Sequence, residues 1–145
     1  MALSCSPDAR LTIGLDLPDG DAAKGLAVLV DMKCHTCHQV RGHDELPAPV
    51  AEPPVRIVLG GPPGWARTDT ELVNAIVNPS HRISARYARD ELREGSKSRM
   101  GEFTEAMTVQ QLIDLVSFLQ SLYELAPAPA QVGAAIGHHG APRTE

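Results

Sequence analysis

Residues Cys34-His35-Thr36-Cys37-His38 place two thiols three positions apart, with an imidazole directly after the second. Two cysteines on one turn can add to the two vinyl groups of a haem, and the histidine that follows is then aimed at the iron. A chain built around such a group must wrap a rigid apolar disc, which limits its fold more than any other feature here. Other uses of the same residues are weaker. A thioredoxin-like dithiol wants a strand before the cysteines within a βαβ unit, whereas residues 21–33 read as a helix. A zinc site could draw on Cys34, Cys37 and His38, with His43 as a fourth ligand, but tetrahedral zinc usually takes two ligand pairs separated by a loop. The remaining cysteine, Cys5, lies far upstream.

The rest of the composition agrees with a bound disc. Two Phe, two Tyr and one Trp in 145 residues offer few large rings for a core, and a haem would supply the missing apolar surface. An aliphatic core of Leu, Val and Ile remains the plain alternative. The length suits one domain with loose ends. A net charge of −5 without long runs of one sign argues against nucleic acid as a partner. No stretch approaches the roughly 18 to 20 apolar residues that cross a bilayer, so no transmembrane segment is expected.

The first ten residues lack a basic start and an apolar h-region. If haem c is attached, export is expected, and the chain would be a mature or engineered form beginning at Met1. Ala2-Leu3-Ser4-Cys5 has some likeness to the end of a lipoprotein leader, against the simpler reading of an exposed cysteine.

Local signals divide the chain into an N-terminal arm over 1–19, a domain over 20–125 and a flexible extension over 126–145 dense in Ala, Pro and Gly. Asp19 or Asp21 caps a first helix carrying Leu26, Val28, Leu29 and Met32, with Gly25 a candidate for close helix approach. Residues 39–66 are irregular and rich in proline and glycine, with a short strand over 55–59 and turns over 59–64. Thr68 and Glu71 have the spacing of a capping box; the helix they start ends at Pro79. Residues 81–94 are expected to be partly helical. A last helix is capped by Thr108 with Gln111, presents Val109, Leu112, Leu115, Val116, Leu119, Leu122 and Tyr123 on one broad face, and ends near Leu125.

An iron held by His38 needs a partner on its other face. Met100, in the loop run Gly95-Ser96-Lys97-Ser98-Arg99-Met100-Gly101, is the favoured candidate, and Met107, just before the last helix, is the alternative or a core methionine. His43, His81, His138 and His139 are further options, as is an open site; His35 reads as an exposed spacer. A thioether raises the reduction potential relative to an imidazole. His38 is expected to donate its other ring N–H to a backbone carbonyl, with Pro47 and Pro49 candidates for presenting it.

Taken together, these residues resemble class I mono-haem cytochromes c of the bacterial periplasmic type. The resemblance spans roughly residues 20–124. It rests on the glycine-bearing helix that ends in Cys34-His35-Thr36-Cys37-His38, the proline loop behind it, Met100 downstream, and the closing helix with Leu115-Val116-Ser117-Phe118-Leu119. It implies an all-α cytochrome c-like fold with helices packed around one covalent haem c, and a crossing of the first and last helices at Gly25 and Phe118. It further implies Cys34 and Cys37 as haem-binding residues, His38 as proximal ligand and Met100 as distal ligand, although Met100-Gly101 stands where the family usually has Met-Pro.

The implied function is one-electron transfer between periplasmic protein partners, such as an oxidoreductase or a terminal oxidase, by a monomer or small complex rather than by an enzyme. Leu59-Gly60-Gly61 with Asn78-Pro79-Ser80-His81 adds a fainter likeness to cytochrome subunits of periplasmic oxidoreductases. The rivals are a haem enzyme or gas-binding protein with an open distal site and, less well supported, a zinc-binding structural domain. Residues 81–99 carry six cationic side chains against Asp90, Glu91 and Glu94, a local charge near +3 in an acidic chain. That asymmetry could steer an acidic partner, or serve only as solvated surface or haem-propionate partners.

Overall fold

The computed structural model describes residues 14–62, 65, 67–87 and 89–123. The 126–145 extension, Cys5, His138 and His139 lie outside them, as does most of the 1–19 arm.

The first helix, α1, spans Ala22–Asp31. Asp21 is its cap, accepting from the backbone N–H groups of Ala23 and Lys24 at 3.0 and 3.2 Å, which satisfies two donors that no helical carbonyl can reach. Its buried positions, Gly25, Val28 and Leu29, fall three and four apart on one face. The helix stops where Lys33 adopts the left-handed conformation, φ +59°, and a single 3₁₀ turn over Cys34–Thr36 follows.

The chain then forms β1, His38–Val40, which pairs in parallel with β2, Ile57–Leu59, so that His38 faces Ile57 in register. The strand expected over 55–59 is therefore present, shortened to three residues. Its partner directly after the second cysteine was not foreseen, because three residues carry no readable alternation. Helix α2 spans Asp69–Val77, and Thr68 with Glu71 forms the complete capping box. The region 81–94 is mostly not helical. Among its described residues, Arg89–Leu92 forms a short helix, α3, followed by a hairpin of β3, Arg93–Glu94, and β4, Lys97–Ser98. Gly95, at φ +62°, turns it, a conformation glycine adopts without the steric cost of a Cβ. Helix α4, Val109–Ser121, is capped by Thr108 with Gln111.

The core is the seam between α1 and α4, closed by α2 and β1. Val28, Leu29, Val40, Leu72, Ile76, Leu115, Val116, Phe118 and Leu119 form one buried cluster. The seam is close because Gly25 has no side chain: a Cβ there would meet the Asp114 carbonyl and come within 2.6 Å of Phe118 Cβ. Asp114 is buried in the same seam, and its carboxylate accepts from the Asp21 N–H at 2.9 Å and the Gln110 side-chain amide at 3.0 Å. These bonds offset the cost of burying it and tie the start of α1 to α4.

Residues 14–20 cross the domain as a strap. The Leu15 N–H donates to Thr70 Oγ1 at 2.6 Å, and Ser117 Oγ donates to the Gly20 carbonyl at 3.0 Å. Among the described residues, no helix is long and apolar enough to cross a membrane.

Candidate functional site

The left-handed Lys33 redirects the backbone out of α1. Thr36 then holds the turn, with both its amide and its hydroxyl donating to the Lys33 carbonyl, at 3.1 and 2.7 Å. Cys34 and Cys37 are thereby brought to one side of the turn, where both line a cavity of about 530 Å³. That volume falls within the range of small-molecule and cofactor sites. His38 reaches the same cavity from β1, its backbone held because the Ile57 N–H donates to the Cys37 carbonyl at 3.1 Å.

Met32, Ile57, Leu92 and Phe103 give the cavity apolar walls. Met100 is on the lining as well, together with Arg82 and Arg99. Four residues singled out from the sequence, Cys34, Cys37, His38 and Met100, therefore line one cavity. Met107 does not join them. It lines a second, smaller recess of about 160 Å³ with Ile76, Phe103 and Leu112, beside the start of α4, and packs against the main core.

Burial pushes the His38 imidazole below its ordinary pKa, opposed by a backbone hydrogen-bonding contribution from Ile57. The ring is thus held neutral, the form in which imidazole binds a metal. Its Nδ1 is buried and falls short of full hydrogen-bond geometry among the described residues, but the ring lies against the backbone of Ile57, which favours its protonated form as a carbonyl acceptor does. The prolines on the cavity wall are Pro53, Pro54 and Pro79, not Pro47 or Pro49; the loop brings its later prolines to the site because β2 pulls residues 53–57 alongside His38. Burial raises the Cys34 thiol pKa, and the neighbouring Cys37 adds to the shift.

The other histidines are used differently. The His43 Nδ1–H donates to the Glu45 carboxylate at 2.8 Å, and the ring meets the Phe118 ring edge-on, with centroids 5.2 Å apart. It is directed to the α4 side and does not line the cavity. His81 is exposed and also off the lining. His35 is not the exposed spacer expected: it is half-buried, with Nδ1 buried and unpaired among the described residues, because the tight 3₁₀ turn folds it back. Among the described residues, no group of three or more His, Cys, Asp and Glu side chains is assembled to hold a metal ion. The four-ligand zinc arrangement with His43 is therefore not formed.

The chemistry of the wall fits a covalent haem: two thiols, a buried imidazole held toward its neutral form, a thioether and an apolar surround. Helices packed about such a cavity define a haem-binding electron-transfer protein. The family model for cytochrome c matches residues 22–123, and the chain belongs to the cytochrome c family. No curated protein and no solved structure matches the chain significantly. Membership establishes the all-α cytochrome c-like fold, a covalently bound haem c with its iron, and haem-based electron transfer as the function.

Proposed function

We propose that this chain is a mono-haem class I cytochrome c of the bacterial periplasmic type, in which Cys34 and Cys37 carry the haem, His38 is the proximal ligand and Met100 the distal ligand. The observation that supports this assignment is the shared cavity: all four residues line it, whereas Met107 lines another recess. When bound, the haem supplies the one-electron chemistry by cycling between ferric and ferrous iron.

The chain's own residues set the conditions. His38 is kept neutral by burial. Ile57, Leu92 and Phe103 keep water from the wall, and Arg82 and Arg99 bring positive charge to it. Electrons would pass to and from protein partners such as an oxidoreductase or a terminal oxidase, with the basic stretch 81–99 favouring an acidic surface. The periplasm is the compartment this assignment requires, and a monomer or small complex is the form it suits; lipid anchoring through Cys5 belongs to the same proposal.

Protein matured by haem-attachment machinery should keep its colour under denaturing conditions, and Cys34→Ser with Cys37→Ser should abolish that. Met100→Ala should remove the weak long-wavelength absorption of sulfur-ligated ferric haem while Met107→Ala leaves it. The reverse result would transfer the distal role to Met107, and a ferrous protein that binds carbon monoxide readily would favour an open, enzyme-like or gas-binding site.

A further inference from the structure

Residues 82–84 form part of the cavity wall, yet no helix or strand holds them; α2 ends at Val77 and α3 begins at Arg89. A turn in which the His81 N–H donates to the Asn78 carbonyl precedes them, and Arg82 approaches Glu71 of α2 at 3.9 Å. Immediately after them, the Arg86 guanidinium stacks on the Trp65 ring, 4.3 Å from its centroid. The next residue, Tyr87, accepts a hydrogen bond from the Val58 N–H at 3.2 Å. Val58 is the middle residue of β2, one position from Ile57, whose own N–H donates to Cys37.

The ring on which Arg86 rests has a firm seat. Trp65 lies over Gly61, where a Cβ would come within 2.9 Å of the indole, and the Gly61 N–H donates to the Leu122 carbonyl at 3.2 Å. Arg41 also lies over the indole, at 5.7 Å. The contacts therefore run from the end of α4 through Gly61 and Trp65 to Arg86, and from Tyr87 back to the strand beside His38.

We infer that Trp65, Arg86 and Tyr87 form a latch that fixes the 82–84 wall against β2 and so limits the entry of small exogenous ligands into the haem cavity. They are positioning residues, since none of them lines the cavity. The inference rests on the proposal that this cavity is the haem site. One cation–aromatic stack and one hydrogen bond together shift an open–closed balance by roughly tenfold or more. Losing either contact should free the same segment, so effects of removing both should fall short of the product of the separate effects.

The test uses the haem-loaded protein with Tyr87→Phe, Trp65→Leu and the pair, and Ser117→Ala as a variant that loses one hydrogen bond at the remote strap. Two quantities are read: hydrogen exchange of the Val58 amide, and the rate at which the ferrous protein binds carbon monoxide. Each latch variant should raise both by about tenfold, Arg86→Lys should raise them less than Arg86→Ala, and Ser117→Ala should change neither. Unchanged rates in the latch variants overturn the inference, as does an equal rise in Ser117→Ala. Failure of the haem-site proposal shows separately: Cys34→Ser with Cys37→Ser would then retain covalent haem, whatever the Val58 amide does.

Discussion

Gly25 and Phe118 meet at the crossing of α1 and α4, so closely that a side-chain carbon on Gly25 would stand 2.6 Å from Phe118 Cβ. Phe118 is itself pinned, buried to 4 % exposure with the edge of His43 against its ring. Neither helix can retreat without opening the cluster that contains Leu29 and Leu115.

Gly25→Ala should therefore destabilise the haem-loaded protein by about 2 kcal/mol or more, despite alanine's better helix propensity, because the added carbon overpacks a backbone contact that cannot move aside. Thermal unfolding followed by far-ultraviolet circular dichroism measures it. An unchanged or raised midpoint would show that the crossing can relax.

Lys33 pays a steric cost at φ +59° to turn the chain from α1 into the cysteine turn. Lys33→Gly should stabilise the protein by about 0.5–1 kcal/mol, since glycine reaches this conformation freely and loses part of that gain to unfolded-chain entropy. The check is denaturant unfolding of the haem-loaded variant, and a loss of stability would mean that the lysine side chain makes a contact worth more than the strain.

Met107→Ala should enlarge the 160 Å³ recess beside α4 and lower stability by about 1–3 kcal/mol. Its absorption spectrum should remain that of the parent protein. A spectral change together with preserved folding would contradict the separation of the two methionines.

Three carboxyls are held below their ordinary pKa: Asp21 first by the Lys24 backbone N–H it caps, Glu45 first by its own backbone N–H and then by His43, and Glu52 first by its hydrogen bond from Arg56. A depressed folded pKa stabilises the protein above the unfolded value and ceases to do so as pH falls through the folded value. The stability these groups provide should be complete near neutrality and be lost progressively on acidification below about pH 5. Thermal midpoints across that range test it. Asp21→Asn, which keeps an oxygen for the cap but cannot titrate, should show a shallower acid decline than the parent, and equal slopes would remove Asp21 from the account.

Thr108→Ala should cost about 1 kcal/mol, because it leaves the Gln111 amide at the start of α4 without its cap. Thermal unfolding decides it, and a cost indistinguishable from zero would mean that water replaces the hydroxyl fully.

Much of this was legible along the chain because it depends on neighbours within one turn. Asp21, Thr68 with Glu71, and Thr108 with Gln111 cap the helices they were expected to cap, since a cap joins residues two or three apart. The Cys34 to His38 run indicated a haem for the same local reason, and the family match agrees. Residues 81–94 are partly helical as expected, through Arg89–Leu92; which part is helical was not legible, because the Tyr87 bond to Val58 and the β3–β4 hairpin hold the rest of the backbone in other shapes.

The sequence by itself determined where three helices begin and which five residues announce the cofactor, because hydrogen bonds and covalent geometry over a few residues decide both. Only the tertiary structure decided that Met100 and not Met107 shares a cavity with His38, that Gly25 admits Phe118, and that Ile57 lies beside the cysteine turn. Those relations join residues far apart in the chain, and they arise from how α1, α4 and the two short strands bury their apolar faces together, which no local pattern encodes.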